Sequence, residues 1–213
     1  MKTTLAPFST NRVLLKNITW KTYQSLVQEM ESQSATRLTY DHGQLEIMTP
    51  LNSHENYKKL LGRFVEAATE ELDIDILGLG SSTWSREDLA KGLEPDQCYY
   101  IQNERLVREL NQIDLNEYPP PDLVIEIDIT SSSINRMNLY AALGVPEVWR
   151  YDGKVLNIYG LEKGEYQVKD KSIALPILTP AEIVRFLNSR KEMGETKLIR
   201  AFRQWVRNQI ELK

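Results

Sequence analysis

Between residues 18 and 73 the hydrophobic pattern changes period twice. In "ITWKTYQSLVQEMES", residues 18–32, Tyr23, Leu26, Val27 and Met30 recur at helical spacing. "TRLTYDHGQLEIMTP" then reads as two short strands around a tight turn at Gly43, with Pro50 ending the second. The helical period returns in "NSHENYKKLLGRFVEAATEELD", residues 52–73. There Leu60, Leu61, Phe64, Val65, Ala68 and Leu72 make one stripe, and Ser53 is the expected N-cap.

The pattern predicts strands at 74–84 and 97–102, with 105–118 mostly loop. Leu123, Val124, Ile125, Ile127 and Ile129 form a nearly continuous apolar run, a strand over 122–129. A helix follows, with Ser132 or Ser133 as its cap, Ile134, Met137, Leu139, Tyr140 and Leu143 as its apolar positions, and Gly144 at its end. "VPEVWRYD" and "VLNIYGLEKGEYQV" predict three strands turned at Asp152-Gly153 and Lys163-Gly164. Thr179-Pro180-Ala181-Glu182 is a capping box with proline at the first helical position. Leu198, Ile199, Phe202, Val206 and Ile210 give a last amphipathic helix, where Phe202 and Trp205 could form a homodimer surface. The order predicts an α/β fold of α+β type, a mixed sheet with helices packed on it. A single domain over 1–213 is expected, with residues 179–213 as a helical extension.

Composition narrows the function. At 213 residues and 41% hydrophobic, the chain can build one substantial core. A net charge of -4 argues against a protein that coats nucleic acid nonspecifically, but leaves room for a local cationic groove. The one cysteine, Cys98, excludes an internal disulfide and a multi-cysteine zinc site. It reads as a small buried residue rather than a nucleophile. The start "MKTTLAPFST" lacks a signal-peptide core and no apolar run is long enough for a bilayer, so the expected compartment is the cytoplasm, with no membrane partner.

The acids carry the chemistry. Asp122, Glu126 and Asp128 sit at alternate positions of an otherwise apolar strand and so share a face. Asp96, after Pro95, starts another strand. If the two strands pair, Asp96 and Glu126 converge, and a divalent cation such as Mg²⁺ would relieve their repulsion. The alternative is a row of acids facing solvent.

"PPPDLVIEIDITSSSINRMNLYAALGVPEVWRYDG", with "DHGQLEIMTP" and "GLEPDQCYYIQ", closely resembles the restriction-endonuclease-like proteins of the Uma-two family, in the PD-(D/E)XK nuclease superfamily. The likeness covers roughly residues 10–160. It implies a central mixed sheet flanked by helices and Mg²⁺- or Mn²⁺-dependent hydrolysis of DNA phosphodiesters. It implies Asp96 and Glu126 as catalytic and metal-binding residues. The superfamily's lysine, two residues after the acid, is here Asp128. Arg136 stands where related chains have a lysine on the next helix, and is expected to stabilise charge on the phosphate or, alternatively, to be a solvated residue in a protein of weakened activity. Since arginine stays protonated it cannot act as a base, and Arg136→Lys is expected to retain or raise activity. Asp122 either assists the site or stabilises the start of its strand. Asp128, His54 and Glu46 are accessory candidates; the alternative for His54 is a capping or surface role, and for Glu46 the simpler account is pairing with a cation elsewhere. Glu66 is expected to be solvated, and Tyr140 and Trp149 to be core.

Overall fold

The computed structural model describes residues 12–30, 36–49, 52–129 and 132–212, apart from the side chains of residues 52 and 53. The apolar run becomes β8 (Leu123–Ile127), all five residues of which are buried. It lies inside a six-stranded sheet whose other members are β4 (Leu77–Gly78), β7 (Gln97–Tyr100), β9 (Glu147–Tyr151), β10 (Leu156–Glu162) and β11 (Glu165–Lys169), in the order β11-β10-β9-β8-β7-β4. β8 runs parallel to β9 and antiparallel to β7, so the sheet is mixed.

Both faces of β8 are covered, which is why its sequence hardly alternates. Leu123, Ile125 and Ile127 face a core built with α2 (Asn52–Leu72), α5 (Pro180–Ser189) and α6 (Glu195–Glu211). Val124 faces the other way, into a cluster with Cys98, Val148 and the α4 (Arg136–Leu143) residues Leu139 and Tyr140. Glu126 shares the α4 face. Glu126 therefore looks into the protein beneath α4, not into solvent.

A second sheet, absent from the sequence reading, is wholly antiparallel. It joins β1 (Arg12–Leu15), β2 (Arg37–Asp41), β3 (Gln44–Met48), β5 (Trp84–Arg86) and β6 (Lys91–Leu93) in the order β1-β3-β2-β6-β5. β2 and β3 are the predicted hairpin, with Gly43 at φ 83° in its turn. α1 (Trp20–Met30) packs on this sheet through Tyr23, which stacks on Tyr40 at 4.9 Å.

Several local readings need correction. The single strand expected over 74–84 is the two-residue β4, a loop and the start of β5. The 105–118 segment is mostly loop, as expected, once the short α3 (Glu104–Val107) has ended. α2 begins at Asn52, so Ser53 lies inside its first turn. α4 is capped by Asn135, whose side chain accepts from Asn138 N at 3.3 Å, rather than by Ser132 or Ser133. Gly144 does end α4, at φ 79°. Thr179 caps α5, accepting from Glu182 N, but the Glu182 carboxylate turns to Arg185 instead of back to the cap. Phe202 is fully buried, stacked on Phe64 at 4.6 Å and edge-on to Phe186, so it is core and unavailable as a dimer surface. Among the described residues no helix is long and apolar enough to cross a membrane.

Candidate active site

The β7–β8 register pairs Gln97 with Ile125. One step further it sets Asp96, at the bend before β7, opposite Glu126. Two residues 30 positions apart in the chain thus meet across neighbouring strands. Asp96 is 2% exposed, and its Oδ2 accepts from Ile127 N at 2.7 Å. Glu126 is also buried. Its Oε1 accepts from Arg136 Nη2 at 2.6 Å, from Arg136 Nε at 3.2 Å and from the Tyr140 hydroxyl.

Arg136 and Tyr140 are one turn apart on α4, which aims both at the same carboxylate. Arg136 also donates from Nη1 to Thr39 Oγ1 at 2.5 Å and from Nη2 to Glu94 O at 2.7 Å. It therefore ties the six-stranded sheet to the second sheet, which contributes Thr39 on β2 and Glu94 just after β6. This geometry is against the free exchange of Arg136 for lysine. The guanidinium donates in three directions, and one ammonium cannot reach all its acceptors.

Burial and proximity divide the two carboxylates. Burial alone would raise Asp96, but His54, the Ile127 amide and Arg136 outweigh it and hold its pKa below the ordinary value. Burial pushes Glu126 up, and the neighbouring Asp96 charge adds to the rise against the pull of Arg136. Of the pair, Glu126 is the one that takes a proton first. His54 is neither cap nor surface residue. It is 5% exposed, with Nε2 3.0 Å from Asp96 Oδ2. Burial disfavours its charge, yet Asp96, Glu55 and Glu126 together raise its pKa.

A cavity of about 370 Å³ opens beside Glu126 and Arg136 and is bordered by Glu46, Asp128, Arg12 and Arg150. Glu46 is buried and binds the segment before α4, accepting from Ser132 Oγ at 2.7 Å and Ser133 N at 2.6 Å, with Arg12 at 3.5 Å. Asp128 pairs with Arg150 through Nε at 2.9 Å and through Nη2. Asp122 lies at the other end of β8, about 13 Å from Glu126 at the rise of a strand. It accepts from Ile101 N, Asn103 N and Asn103 Nδ2, clamping the turn after β7. Of its two expected roles, the geometry matches the structural one.

The remaining candidates fall where burial puts them. Glu66 is exposed and accepts from the Tyr99 hydroxyl at 3.1 Å. Trp149 is core. Burial pushes the Cys98 thiol up to about 12, far from a thiolate at neutral pH. Sequence reasoning missed Tyr140, Thr39, Glu94 and Arg150. The four-residue spacing of Arg136 and Tyr140 was a usable signal. The other three reach the site only through strand register.

The donors suit a hard cation. Asp96 Oδ1 and Glu126 Oε2 accept no hydrogen bond from the described residues. Among the described residues no group of three or more His, Cys, Asp or Glu could hold a metal ion. Two carboxylate oxygens would supply only part of a Mg²⁺ shell, which waters and phosphate oxygens would have to complete.

No protein of curated description matches the chain. Among solved structures, the chain is similar to a protein from Anabaena variabilis ATCC 29413 described as a "putative nuclease belonging to DUF820". It is 16% identical, covering 70% of this chain and 89% of that one, with a TM-score of 0.49. The family model described as "Uma2: Putative restriction endonuclease" matches residues 20–185. That span takes in both carboxylates, the arginine that braces Glu126 and the strands that bring them together, and the chain belongs to the Uma2 family of restriction-endonuclease-type proteins.

Proposed function

We propose that the protein is a metal-dependent endonuclease that hydrolyses DNA phosphodiester bonds. The observation that carries this reading is the convergence of Asp96 and Glu126 across β7 and β8, each with an oxygen free of donors from the described residues. Asp96 and Glu126 would hold Mg²⁺ or Mn²⁺, which when bound supplies an activated water and stabilises the departing oxygen. Arg136 fixes Glu126 and keeps positive charge beside the reacting phosphate, as electrostatic stabiliser rather than base. His54 holds Asp96 in its charged form. The work is done in the cytoplasm, where a lone thiol stays reduced. Cutting both strands of a duplex would bring two copies together.

The test is cleavage of several DNA forms by purified protein with Mg²⁺ or Mn²⁺. Asp96→Ala and Glu126→Ala should each abolish it, and cleavage that continues unchanged in either variant removes the assignment.

One observation favours a second reading. Arg136 already neutralises Glu126, as a bound cation would, so the fold could bind nucleic acid without turnover. DNA binding with no cleavage, and a melting temperature unmoved by Mg²⁺ or Mn²⁺, would select that reading.

A further inference from the structure

Arg136 and Arg150, which both border the cavity with Glu126, differ in their freedom. The Arg136 side chain is 15% exposed and is committed to Glu126, Thr39, Glu94 O and Tyr140. Turning it toward a ligand would strand the Glu126 charge in the interior. The Arg150 side chain is 44% exposed. Its Nε–Nη2 edge rests on one oxygen of Asp128, Oδ2, leaving the Nη1 end of the planar fork directed away from that carboxylate, and Tyr159 is a second, uncharged partner of the guanidinium. β9 sets Arg150 in register with Glu126 on parallel strands, so both side chains leave the same face of the sheet. Both border the same cavity.

From this geometry we infer that Arg150 grips a phosphate of the nucleic-acid backbone beside the Asp96–Glu126 site, and that Asp128 is the holding partner which the phosphate displaces. The inference rests on the nuclease reading and adds the residue that engages the substrate's backbone. A guanidinium fork matches a phosphate as well as it matches a carboxylate. A carboxylate–arginine pair this accessible to water is weakly held, so exchanging Asp128 for a phosphodiester costs little. The chain's net charge of -4 gives no general attraction for DNA, and an accessible cation at the cavity mouth therefore counts for more.

The test is fluorescence anisotropy of a fluorescein-labelled DNA duplex, and of its single strand, titrated with protein in EDTA so that nothing is cut, over a series of NaCl concentrations. Arg150→Ala should weaken binding roughly tenfold at low salt and reduce the slope of log affinity against log salt by about one. Arg150→Lys should keep the slope, because the charge remains. Asp128→Asn should tighten binding by removing the competing anion. Should Arg150→Ala fail to fold, Arg150→Gln makes the same comparison. Wild-type affinity and slope in a neutral Arg150 variant would overturn this inference and leave the nuclease reading standing. An Asp128→Asn protein that binds as weakly as Arg150→Ala would remove the displacement role. A wild-type protein that binds neither form of DNA in EDTA would overturn this inference, while the nuclease reading is decided separately by cleavage with Mg²⁺ or Mn²⁺.

Discussion

At the scale of single residues, the site is a set of charges that would be costly to bury one at a time. Glu126 is tolerated under α4 because Arg136 and Tyr140 both donate to it. Removing one partner of such a pair leaves the other uncompensated. Arg136→Ala should therefore lower unfolding free energy by about 3–5 kcal/mol, measured by urea denaturation. Arg136→Lys should recover only part of that loss, since Thr39 and the Glu94 carbonyl keep no common donor. His54 and Asp96 make a pH-dependent contribution. The folded pKa of His54 is raised, so its stabilisation is complete below the ordinary value of 6.5 and is lost as pH rises through the folded value. The folded pKa of Asp96 is lowered, so its part is present above 3.8 and is lost as pH falls through the folded value. The stability difference between wild type and His54→Gln should be largest between those limits and shrink as pH climbs beyond them, and a difference independent of pH would refute the pairing. Asp96 and Glu126 were legible in the sequence because acids inside or beside an apolar strand need a reason. Tyr140 was read as core, since its apolar ring obeys the helical period and its hydroxyl leaves no trace in that pattern.

At the scale of elements, long periodic segments were readable and short ones were not. α2 and α6, 21 and 17 residues long, carry enough turns for a stripe to stand out. β5 and β6 have three residues each, too few for alternation to show, and the second sheet went unseen with them. That sheet matters because it carries Thr39, Glu46 and Glu94 to the site. Its seat under α1 depends on Gly92, where an added Cβ would meet the Tyr23 hydroxyl and come 2.7 Å from Tyr23 Cζ. Gly92→Ala should displace Tyr23, cost about 1–3 kcal/mol by overpacking and disturb Thr39. Denaturation midpoints would measure the cost, and a variant as stable as wild type would show that α1 is not seated through this contact.

At the scale of the whole molecule, the last helix belongs to the main core. Leu198, Ile199, Phe202 and Val206 are buried against the α2 side of the six-stranded sheet. Each such side chain is worth about 1.5–3 kcal/mol on burial, and together they rival the total stability of about 5–15 kcal/mol that a domain possesses. A chain ending at Gly194 should therefore lack a cooperative thermal transition by circular dichroism. Arg203 and Arg207, ion-paired with Glu70 and Glu71 of α2, sit at the rim of this contact and contribute far less than the buried side chains. The sequence by itself determined the longer helices, the β2–β3 hairpin and the last three strands, and it singled out the two acids of the candidate site, because periodicity and charge within an apolar run are local properties. Only the tertiary structure decided that Asp96 and Glu126 meet, that Arg136 is spent on bracing Glu126 between two sheets, and that Arg150 shares the cavity. Those facts follow from strand register and sheet order, and register is settled by packing between segments far apart in the chain.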